Sequence, residues 1–305
     1  MITIEGLTKV YSRKDPPAVN DLTLQINDGE ILGLVGLNGA GKTSTIRMIS
    51  GIILPTAGTI KVDGFDIVKE KVNASANVGW VPEFPNFELN AKPVTLMKYY
   101  AGFYDIDRND EEEQILSLLE EVGLKTYTDR KLRNYSQGMK KRFAIAETLL
   151  GDPRNLLFDE TLNGLDPEGV VFVRNLILSL KKRGKAVLLS SHILSEVENI
   201  ADKVAIISHG KLLKVLTRDE LRNLGKVVVR ISVDNPDGKL KSALSDFGSV
   251  MVSGNDVTIS DLAMDVAKVP EIASRIVSSG YSLRKFETSG ESLEEYFFSI
   301  IGEKA

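Results

Sequence analysis

The sequence Gly36-Leu37-Asn38-Gly39-Ala40-Gly41-Lys42-Thr43 matches the phosphate-binding pattern G-x-x-x-x-G-K-[ST] at every required position. An apolar run at residues 31–35 precedes it and is typical of a buried parallel strand, and a helix can begin at Thr43. The glycines allow backbone N–H groups and a helix N-terminus to surround a polyphosphate. Lys42 is expected to neutralise the outer phosphates, and the Thr43 hydroxyl to bind magnesium. The stretch therefore predicts a nucleotide site, of a kind that kinases, motors, GTPases and transport ATPases share.

Length and composition narrow the class of protein. The 305 residues suggest about two domains. A net charge of −4 gives no broad basic field, so direct nucleic-acid binding is not expected. The sequence contains no cysteine, which excludes disulfides and thiolate metal sites. No stretch approaches the roughly 18 uncharged apolar residues of a membrane span, and the chain is expected to be soluble.

Short apolar segments on both sides of the phosphate loop predict strands. Residues 2–4 and 7–11 are expected to form two strands separated by Glu5-Gly6. Residues 58–62 and 65–68 flank Asp63-Gly64, a strong hairpin signal. These segments predict an antiparallel sheet at the front of the domain.

A helical subdomain is predicted at about residues 86–150. Its acidic helix start at residues 110–113 is followed by apolar residues at helical spacing. Four aromatic residues also recur at four-residue spacing on a neighbouring helix: Tyr99, Tyr100, Phe103 and Tyr104. They could line a docking groove, but a place in the core is favoured because aromatic pairs at this spacing are more often buried.

Two adjacent carboxylates end the apolar strand at residues 155–159, about 120 residues after the loop. Asp159 can reach a metal ion through water, and Glu160 is placed to act as general base on the water that attacks a γ-phosphate. The pair is therefore predicted to complete a magnesium–nucleotide site.

These motifs and several others resemble, in order and separation, the ATP-binding-cassette (ABC) ATPases over residues 1 to about 215. Tyr135-Ser136-Gln137-Gly138-Met139 occupies the place of the Leu-Ser-Gly-Gly-Gln signature of that family. Residues 163–166 follow as the loop beyond the catalytic glutamate, and His192 follows an apolar strand as the switch histidine does. Tyr11 occupies the position at which the family stacks an aromatic ring on adenine.

The resemblance implies ATP and Mg²⁺ as cofactors and a divided site. Ser136 and Gly138 lie at a predicted helix start, where they can form a second anion site, and Ser136 can also serve as a simple N-cap. In the family this signature binds the γ-phosphate held by a second protomer, which implies a dimer, here expected as a homodimer. Predicted ATP-binding residues are Tyr11, Gly36, Asn38, Gly39, Ala40, Gly41, Lys42, Thr43, Ser44, Ser136, Gln137 and Gly138. Predicted metal-site residues are Thr43, Glu83 and Asp159, and predicted catalytic residues are Glu160 and His192.

Some positions depart from the family pattern. Glu83 replaces the usual glutamine and brings an additional carboxylate beside the metal, so the timing of hydrolysis is expected to differ. Gln137 replaces a glycine, Met139 a glutamine and Thr161 a proline. We interpret these changes as subfamily variation, because every required phosphate-loop position is retained.

A second domain is expected after Gly225. The predicted order βαββαβ is ferredoxin-like, followed by a last helix that docks through Leu293, Tyr296, Phe297 and Ile300. The predicted organisation is a cassette at 1–217, a linker helix at 218–225 and an accessory α+β domain at 226–305. No catalytic cluster is evident in the last part, and its role as a packing element, regulator or dimer support stays open.

The predicted fold is therefore an α/β phosphate-loop ATPase core with an antiparallel β subdomain, an inserted helical subdomain and a small α+β ferredoxin-like domain. The resemblance implies an ATPase that drives separate membrane subunits, lies in the cytoplasm on the inner face of the cell membrane and belongs to an exporter. Alternatives are an importer subunit and a soluble cassette protein that acts on ribosomes or nucleic acid. A phosphate-loop kinase does not explain residues 135–139.

Overall fold

A computed structural model describes residues 1–104, 106–222, 227–264, 268–289 and 293–302. The chain divides into two compact units, Met1–Arg218 and Asp219–Ala305. Within the described residues, no helix combines the length and apolar character that crossing a membrane requires.

Two sheets form the first unit. Its strands are β1 (Ile2–Lys9), β2 (Val19–Ile26), β3 (Ile31–Val35), β4 (Ala57–Val62), β5 (Phe65–Asp66), β6 (Val78–Val81), β7 (Asn155–Asp159), β8 (Ala186–Ser191), β9 (Lys203–Ser208) and β10 (Lys211–Thr217). One sheet has the order β10-β9-β3-β8-β7-β6 and is parallel except for β10. The other is antiparallel with the order β2-β1-β4-β5.

The centre of the parallel sheet is fully buried. Every residue of β3, β7 and β8 is buried, as expected for parallel strands covered on both faces. In the register of this sheet, Val35 lies opposite Ser191, and Asp159 lies opposite Ser190. The segments that follow these three strands therefore start from the same edge of the sheet.

The front sheet differs from the sequence prediction in two strands. β1 is one continuous strand rather than two, because an irregularity in the register with β4 between Glu5 and Thr8 absorbs the break predicted at Glu5-Gly6. β5 ends at Asp66 instead of continuing to Val68. The Asp66 carboxylate accepts the N–H groups of Val68 and Lys69, and this turn ends the strand.

Seven helices of the first unit surround the sheets in the described residues. They are α1 (Lys42–Ile49), α2 (Lys71–Ala76), α3 (Pro93–Ala101), α4 (Glu111–Glu121), α5 (Gln137–Leu149), α6 (Pro167–Lys182) and α7 (Leu194–Ile200). Short 3₁₀ turns span Lys125–Tyr127 and Leu132–Asn134. Helices α3, α4 and α5 lie within the predicted helical subdomain.

The prediction that the aromatic cluster at α3 belongs to the core is wrong. Tyr99 is 65% exposed, Phe103 72% and Tyr104 44%, and Tyr100 is half-buried. The buried face of α3 is instead supplied by Leu96, Met97 and Ala101. Four-residue spacing places the aromatic rings on one face but does not determine whether that face points inward.

The second unit is ferredoxin-like in strand order. Its elements are α8 (Arg218–Arg222), β11 (Val228–Val233), α9 (Gly238–Leu244), β12 (Ser249–Ser253), β13 (Asp256–Ser260), α10 (Pro270–Ser278), β14 (Leu283–Ser289) and α11 (Leu293–Gly302), with a 3₁₀ turn at Ser245–Phe247. The antiparallel sheet has the order β14-β11-β13-β12. Numbered within the βαββαβ unit, these are its fourth, first, third and second strands.

The two ends of this unit correspond to the predicted linker helix and the predicted last helix. The predicted linker helix begins at Arg218 and continues to Arg222, whereas residues 223–225 lie outside the described residues. In α11, Leu293 and Phe297 are buried, and Tyr296 and Ile300 are half-buried.

Helix α5 carries an acidic residue in an apolar setting. Burial raises the pKa of Glu147 from 4.5 to about 7. Burial also raises the pKa values of Tyr100 and Tyr104, and the nearby charge of Glu147 raises them further. The folded protein therefore holds a proton on Glu147 at pH values where the unfolded chain has lost it.

We expect Glu147→Gln to stabilise the protein at high pH. The stabilisation that protonated Glu147 provides is complete below pH 4.5 and is lost as the pH rises through about 7. Glutamine stays neutral, so the variant should gain up to about 3 kcal/mol over the native protein at pH 8 and little at pH 4.5. Urea unfolding followed by the fluorescence of Trp80, the only tryptophan, measures this difference. Exposed Glu113→Gln is the control, and an equal gain for Glu147→Gln at both pH values would contradict the prediction.

Candidate active site

The phosphate loop connects β3 to α1 in a conformation that glycine makes possible. Gly41 has φ +109°, and a Cβ atom there would lie 2.5 Å from the carbonyl oxygen of Ala18. A Cβ atom on Gly36 would lie 2.5 Å from the carbonyl oxygen of Ile207. Both glycines are therefore required for the close packing of the loop, and α1 begins directly after it at Lys42.

Lys42 is buried, with only 5% of its surface exposed. Its Nζ donates to the carbonyl oxygens of Gly36 at 2.7 Å and Leu37 at 3.3 Å. The same ammonium group lies 3.1 Å from Glu160 Oε1. The lysine thus links the phosphate loop to the segment that follows β7.

Asp159 lies at the end of β7 and faces the beginning of α1. Its Oδ1 accepts hydrogen bonds from Ser190 Oγ at 2.8 Å and from Thr43 Oγ1 at 3.3 Å. Burial raises the pKa of Asp159 above its ordinary value, an effect that the hydrogen bonds from Ser190 and Thr43 oppose. The predicted metal-site residues Thr43 and Asp159 are therefore in direct contact.

Glu160 is held in an unusual backbone conformation. Its φ is +47°, a left-handed value that is uncommon for residues other than glycine. Its N–H donates to the carbonyl oxygen of Ser190 at 3.2 Å and to Ser190 Oγ at 3.0 Å. The backbone of β8 therefore helps to aim the side chain of Glu160 toward the phosphate loop.

The carboxylate of Glu160 is surrounded by donors. Oε2 accepts hydrogen bonds from Asn163 Nδ2 at 2.9 Å and from the His192 N–H at 3.2 Å, and it lies 3.0 Å from His192 Nδ1. Burial tends to raise the pKa of Glu160, but Lys42 and the hydrogen bonds from Lys42, Asn163 and His192 outweigh it and lower the pKa. Glu160 is therefore ionised near neutral pH and can accept a proton.

Lys42, Thr43 and Glu160 open into a cavity of about 360 Å³, whereas the predicted residues Gly36 and Asp159 do not line it. Its walls contain the predicted residues Asn38, Gly39, Ala40, Gly41, Lys42, Thr43, Ser44, Glu83, Glu160 and His192. Ala18 and Asn163 also line it, although the sequence prediction did not include them among the site residues. The position of Asn163 three residues after Glu160 was the available signal, whereas the place of Ala18 depends on tertiary packing.

The signature residues line a different cavity, of about 590 Å³. Ser136, Gln137 and Gly138 share its wall with Asp166 and other residues of the loop and helix after Glu160. Ser136 is the N-cap of α5, and its Oγ accepts the N–H of Met139 at 3.2 Å. This N-cap bond is compatible with a second role in anion binding. The structure does not bring the signature residues to the phosphate loop of the same chain.

Tyr11 lies beside the phosphate loop, outside the residues that line the 360 Å³ cavity. Its hydroxyl is 3.0 Å from Ser44 Oγ, and Lys9 Nζ lies 5.2 Å from the centre of its ring. The side chain is 58% exposed. An aromatic face is thus available next to the loop, and stacking on adenine stays a prediction.

The residues present suit Mg²⁺. The Thr43 hydroxyl, the Asp159 carboxylate and the nearby Glu83 supply hard oxygen donors, which this ion prefers. Across the described part of the chain, no group of three or more acidic, histidine or cysteine side chains is arranged to hold a metal ion. A site with few protein ligands is typical of Mg²⁺, which keeps water and phosphate oxygens as its other ligands.

Comparison with known proteins identifies similar chains. The family described as ABC transporter matches residues 19–163. The bacitracin transport ATP-binding protein BcrA of Bacillus licheniformis is 33% identical, over 99% of this chain and 97% of that protein. The linearmycin resistance ATP-binding protein LnrL of Bacillus subtilis (strain 168) is 27% identical, over 99% of this chain and 98% of that protein. A solved ATP-binding subunit of an ABC transporter superposes with a TM-score of 0.67 at 27% identity, over 73% of this chain and 92% of the other.

We expect Lys42→Ala to weaken ATP binding. The substitution removes the ammonium group that faces the cavity, and a charge-assisted hydrogen bond contributes roughly 1.5–3 kcal/mol. ATP affinity should fall about 10- to 100-fold. Titration of the purified protein with ATP by calorimetry measures the change, with the exposed Lys211→Ala as a charge-matched control. An unchanged affinity in Lys42→Ala would contradict the assignment of the loop.

Proposed function

Because this chain belongs to the ABC transporter ATP-binding protein family, we propose that it powers the export of an antimicrobial compound through separate membrane-spanning subunits. The chain is an ATP-binding and ATP-hydrolysing subunit of an ABC transporter. The direction of transport, the class of cargo and the individual roles of the site residues are the parts that we propose.

The proposal rests on relatives named for bacitracin transport and for linearmycin resistance. The likeness to the bacitracin transport protein covers 99% of this chain and therefore includes the second unit. The solved cassette, by contrast, matches only 73% of the chain. The shared architecture is thus that of the whole relative and not of the cassette alone. We assign catalysis to residues 1–217, a linking role to residues 218–225 and an accessory role to residues 226–305.

The geometry supports a direct hydrolytic step. The loop at residues 36–44 binds the phosphates of ATP, which compete with Glu160 for the ammonium group of Lys42. Glu160, aligned by Asn163 and His192, orients a water molecule and accepts its proton as the oxygen attacks the γ-phosphorus. The bond between the γ-phosphorus and its bridging oxygen breaks, and ADP and phosphate leave.

Thr43 and Asp159 would hold Mg²⁺, with Glu83 at the margin of the site. When bound, the ion supplies positive charge that offsets the charge on the β- and γ-phosphates. Thr43 and Ser190 hydrogen-bond to the Asp159 carboxylate and keep it oriented toward the loop. Burial of Asp159 among these residues keeps bulk water away from this carboxylate.

A second protomer completes the proposed site. The cavity at the phosphate loop and the cavity at Ser136 share no lining residue. Ser136 and Gly138 begin α5, and the amino end of a helix attracts anions. We therefore propose a head-to-tail homodimer in which this helix end contacts the γ-phosphate held by the other protomer. The dimer is proposed to act at the inner face of the membrane with integral membrane subunits.

Glu160→Gln is expected to retain ATP binding and lose turnover. Glutamine preserves the size and hydrogen-bonding capacity of the side chain but cannot accept the proton, so the rate constant for hydrolysis should fall by at least about 100-fold. The variant should accumulate as an ATP-bound dimer. Phosphate release and light scattering after size-exclusion chromatography measure the two effects, with the exposed Glu113→Gln, which lines neither cavity, as control. Native turnover in Glu160→Gln would exclude Glu160 as the base.

Export is tested in a cell that is sensitive to bacitracin. The chain is expressed with the multispanning membrane protein that copurifies with it, and growth is measured against bacitracin and against a series of other antibiotics. We expect the native chain to raise resistance to at least one compound severalfold and Glu160→Gln to give none, because export requires hydrolysis. An importer would be favoured if the native chain protected against none of the compounds and the cells instead took up one of them in an ATP-dependent manner. Copurification of ribosomes or nucleic acid in place of a membrane protein would contradict the transporter pairing.

A further inference from the structure

Lys141 is a buried lysine in α5, four residues after the helix begins at Gln137. Only 8% of its surface is exposed. Lysine is rarely buried in proteins unless its ammonium group is paired or hydrogen-bonded. The partners of this group therefore indicate what the side chain does.

The Lys141 ammonium group bonds to the segment that follows Glu160. Nζ donates to the carbonyl oxygen of Thr161 at 3.1 Å and to the carbonyl oxygen of Asn163. One side chain thus holds two carbonyl groups on the three residues beyond the proposed base. It connects the helix of the signature cavity to the wall of the phosphate-loop cavity.

The clamped segment controls how Glu160 is presented. The side-chain amide of Asn163 donates to Glu160 Oε2, and Glu160 itself has the left-handed backbone value of +47°. Such a conformation persists only where the surrounding structure restrains it. Ser190 restrains the N–H of Glu160 from one side, and Lys141 restrains the backbone after Glu160 from the other.

Charge also connects Lys141 to the site. Burial lowers the pKa of its ammonium group, and the nearby carboxylates of Glu83 and Glu160 oppose that effect. Glu83 and Glu160 both line the phosphate-loop cavity. Lys42 also bears on Glu160, but the phosphates of ATP compete for it. Lys141 is bonded instead to two backbone carbonyl groups.

We propose that Lys141 is a positioning residue for ATP hydrolysis: its ammonium group clamps the carbonyl groups of Thr161 and Asn163 and thereby holds Glu160 in line with the phosphate loop. This proposal rests on the proposed role of Glu160 as the base. Lys141 acts through Asn163 and the backbone, and it does not touch the substrate.

Lys185 provides a matched control for simple burial. It too is only 8% exposed, and its Nζ donates to the carbonyl oxygen of Asp152 at 3.1 Å and pairs with the Asp152 carboxylate at 2.5 Å. It directly precedes β8, at the opposite end of that strand from His192. Loss of this lysine removes two part-buried hydrogen bonds, one of them to a carboxylate that is 84% exposed, away from the phosphate loop.

The test compares Lys141→Met, Lys141→Gln and Lys185→Met in the full chain. Hydrolysis at saturating ATP, ATP affinity and thermal unfolding are measured for each variant, and turnover is expressed per folded protein. In Lys141→Met, kcat should fall about 10- to 100-fold, because a small displacement of a catalytic group has effects of this size. ATP affinity should stay within about twofold of the native value, since the phosphate loop is intact.

The other two variants separate positioning from stability. Lys141→Gln keeps amide donors but has a shorter reach and no charge, so its kcat should lie between those of Lys141→Met and the native protein. Lys185→Met should lower the unfolding temperature and leave kcat unchanged. Should Lys141→Met fail to fold, Lys141→Gln decides by the same measure of lowered kcat at unchanged ATP affinity.

Either of two results would overturn the proposal. One is native kcat in the folded Lys141 variants; the other is an equal loss of kcat in Lys185→Met, which would indicate a general effect of stability. Glu160→Gln, assayed in parallel, separates the two levels of the argument. If Glu160→Gln turns over ATP normally, the role of Glu160 fails; if it is inactive while the Lys141 variants are fully active, only the role of Lys141 fails.

Discussion

The register of three buried parallel strands is the constraint on which the candidate site depends. β3, β7 and β8 end at one edge of the sheet, and the phosphate loop, Glu160 and His192 follow their respective ends. Ser190 makes the register chemically specific, because its hydroxyl bonds to Asp159 and to the N–H of Glu160. A slip of one residue between β7 and β8 would reverse the faces of the side chains and break both bonds. The apolar core and the catalytic geometry are therefore set by the same pairing.

Within this frame, charge is balanced locally. Glu160 has Lys42 on one carboxylate oxygen and Asn163 and His192 on the other, so a buried carboxylate stays ionised. Burial alone would have raised the pKa of Glu160. A larger fraction of the side chain would then be protonated near neutral pH and unable to accept a proton. The same lysine that lowers the pKa of Glu160 faces the cavity in which phosphates are proposed to bind. Substrate binding and the strength of the base are thus linked through a single ammonium group.

The parts of the site that lie in contiguous motifs could be predicted from the sequence. The phosphate loop and Asp159-Glu160 are legible because strand, turn and helix signals are local, and strand ends converge by topology. Contacts between distant segments could not be predicted, because no periodicity in the sequence connects Lys141 to the carbonyl groups of Thr161 and Asn163. The prediction for the aromatic residues in α3 and in the turn after it was wrong for a related reason. Their spacing fixes their relative direction, whereas burial depends on what packs against the helix, and Leu96 and Met97 occupy that face.

Helix α5 connects the two cavities. Ser136 caps the helix at the wall of one cavity, and Lys141, one turn further along, bonds to the segment that lines the other. Backbone hydrogen bonds from each residue to the one four positions earlier connect these successive turns of the helix. In the proposed dimer, a phosphate that draws on the amino end of α5 would therefore act on the helix that restrains the base of the same chain. Lys141 is the side chain through which α5 would then act on Glu160 of its own chain, while the ATP is held by the other protomer.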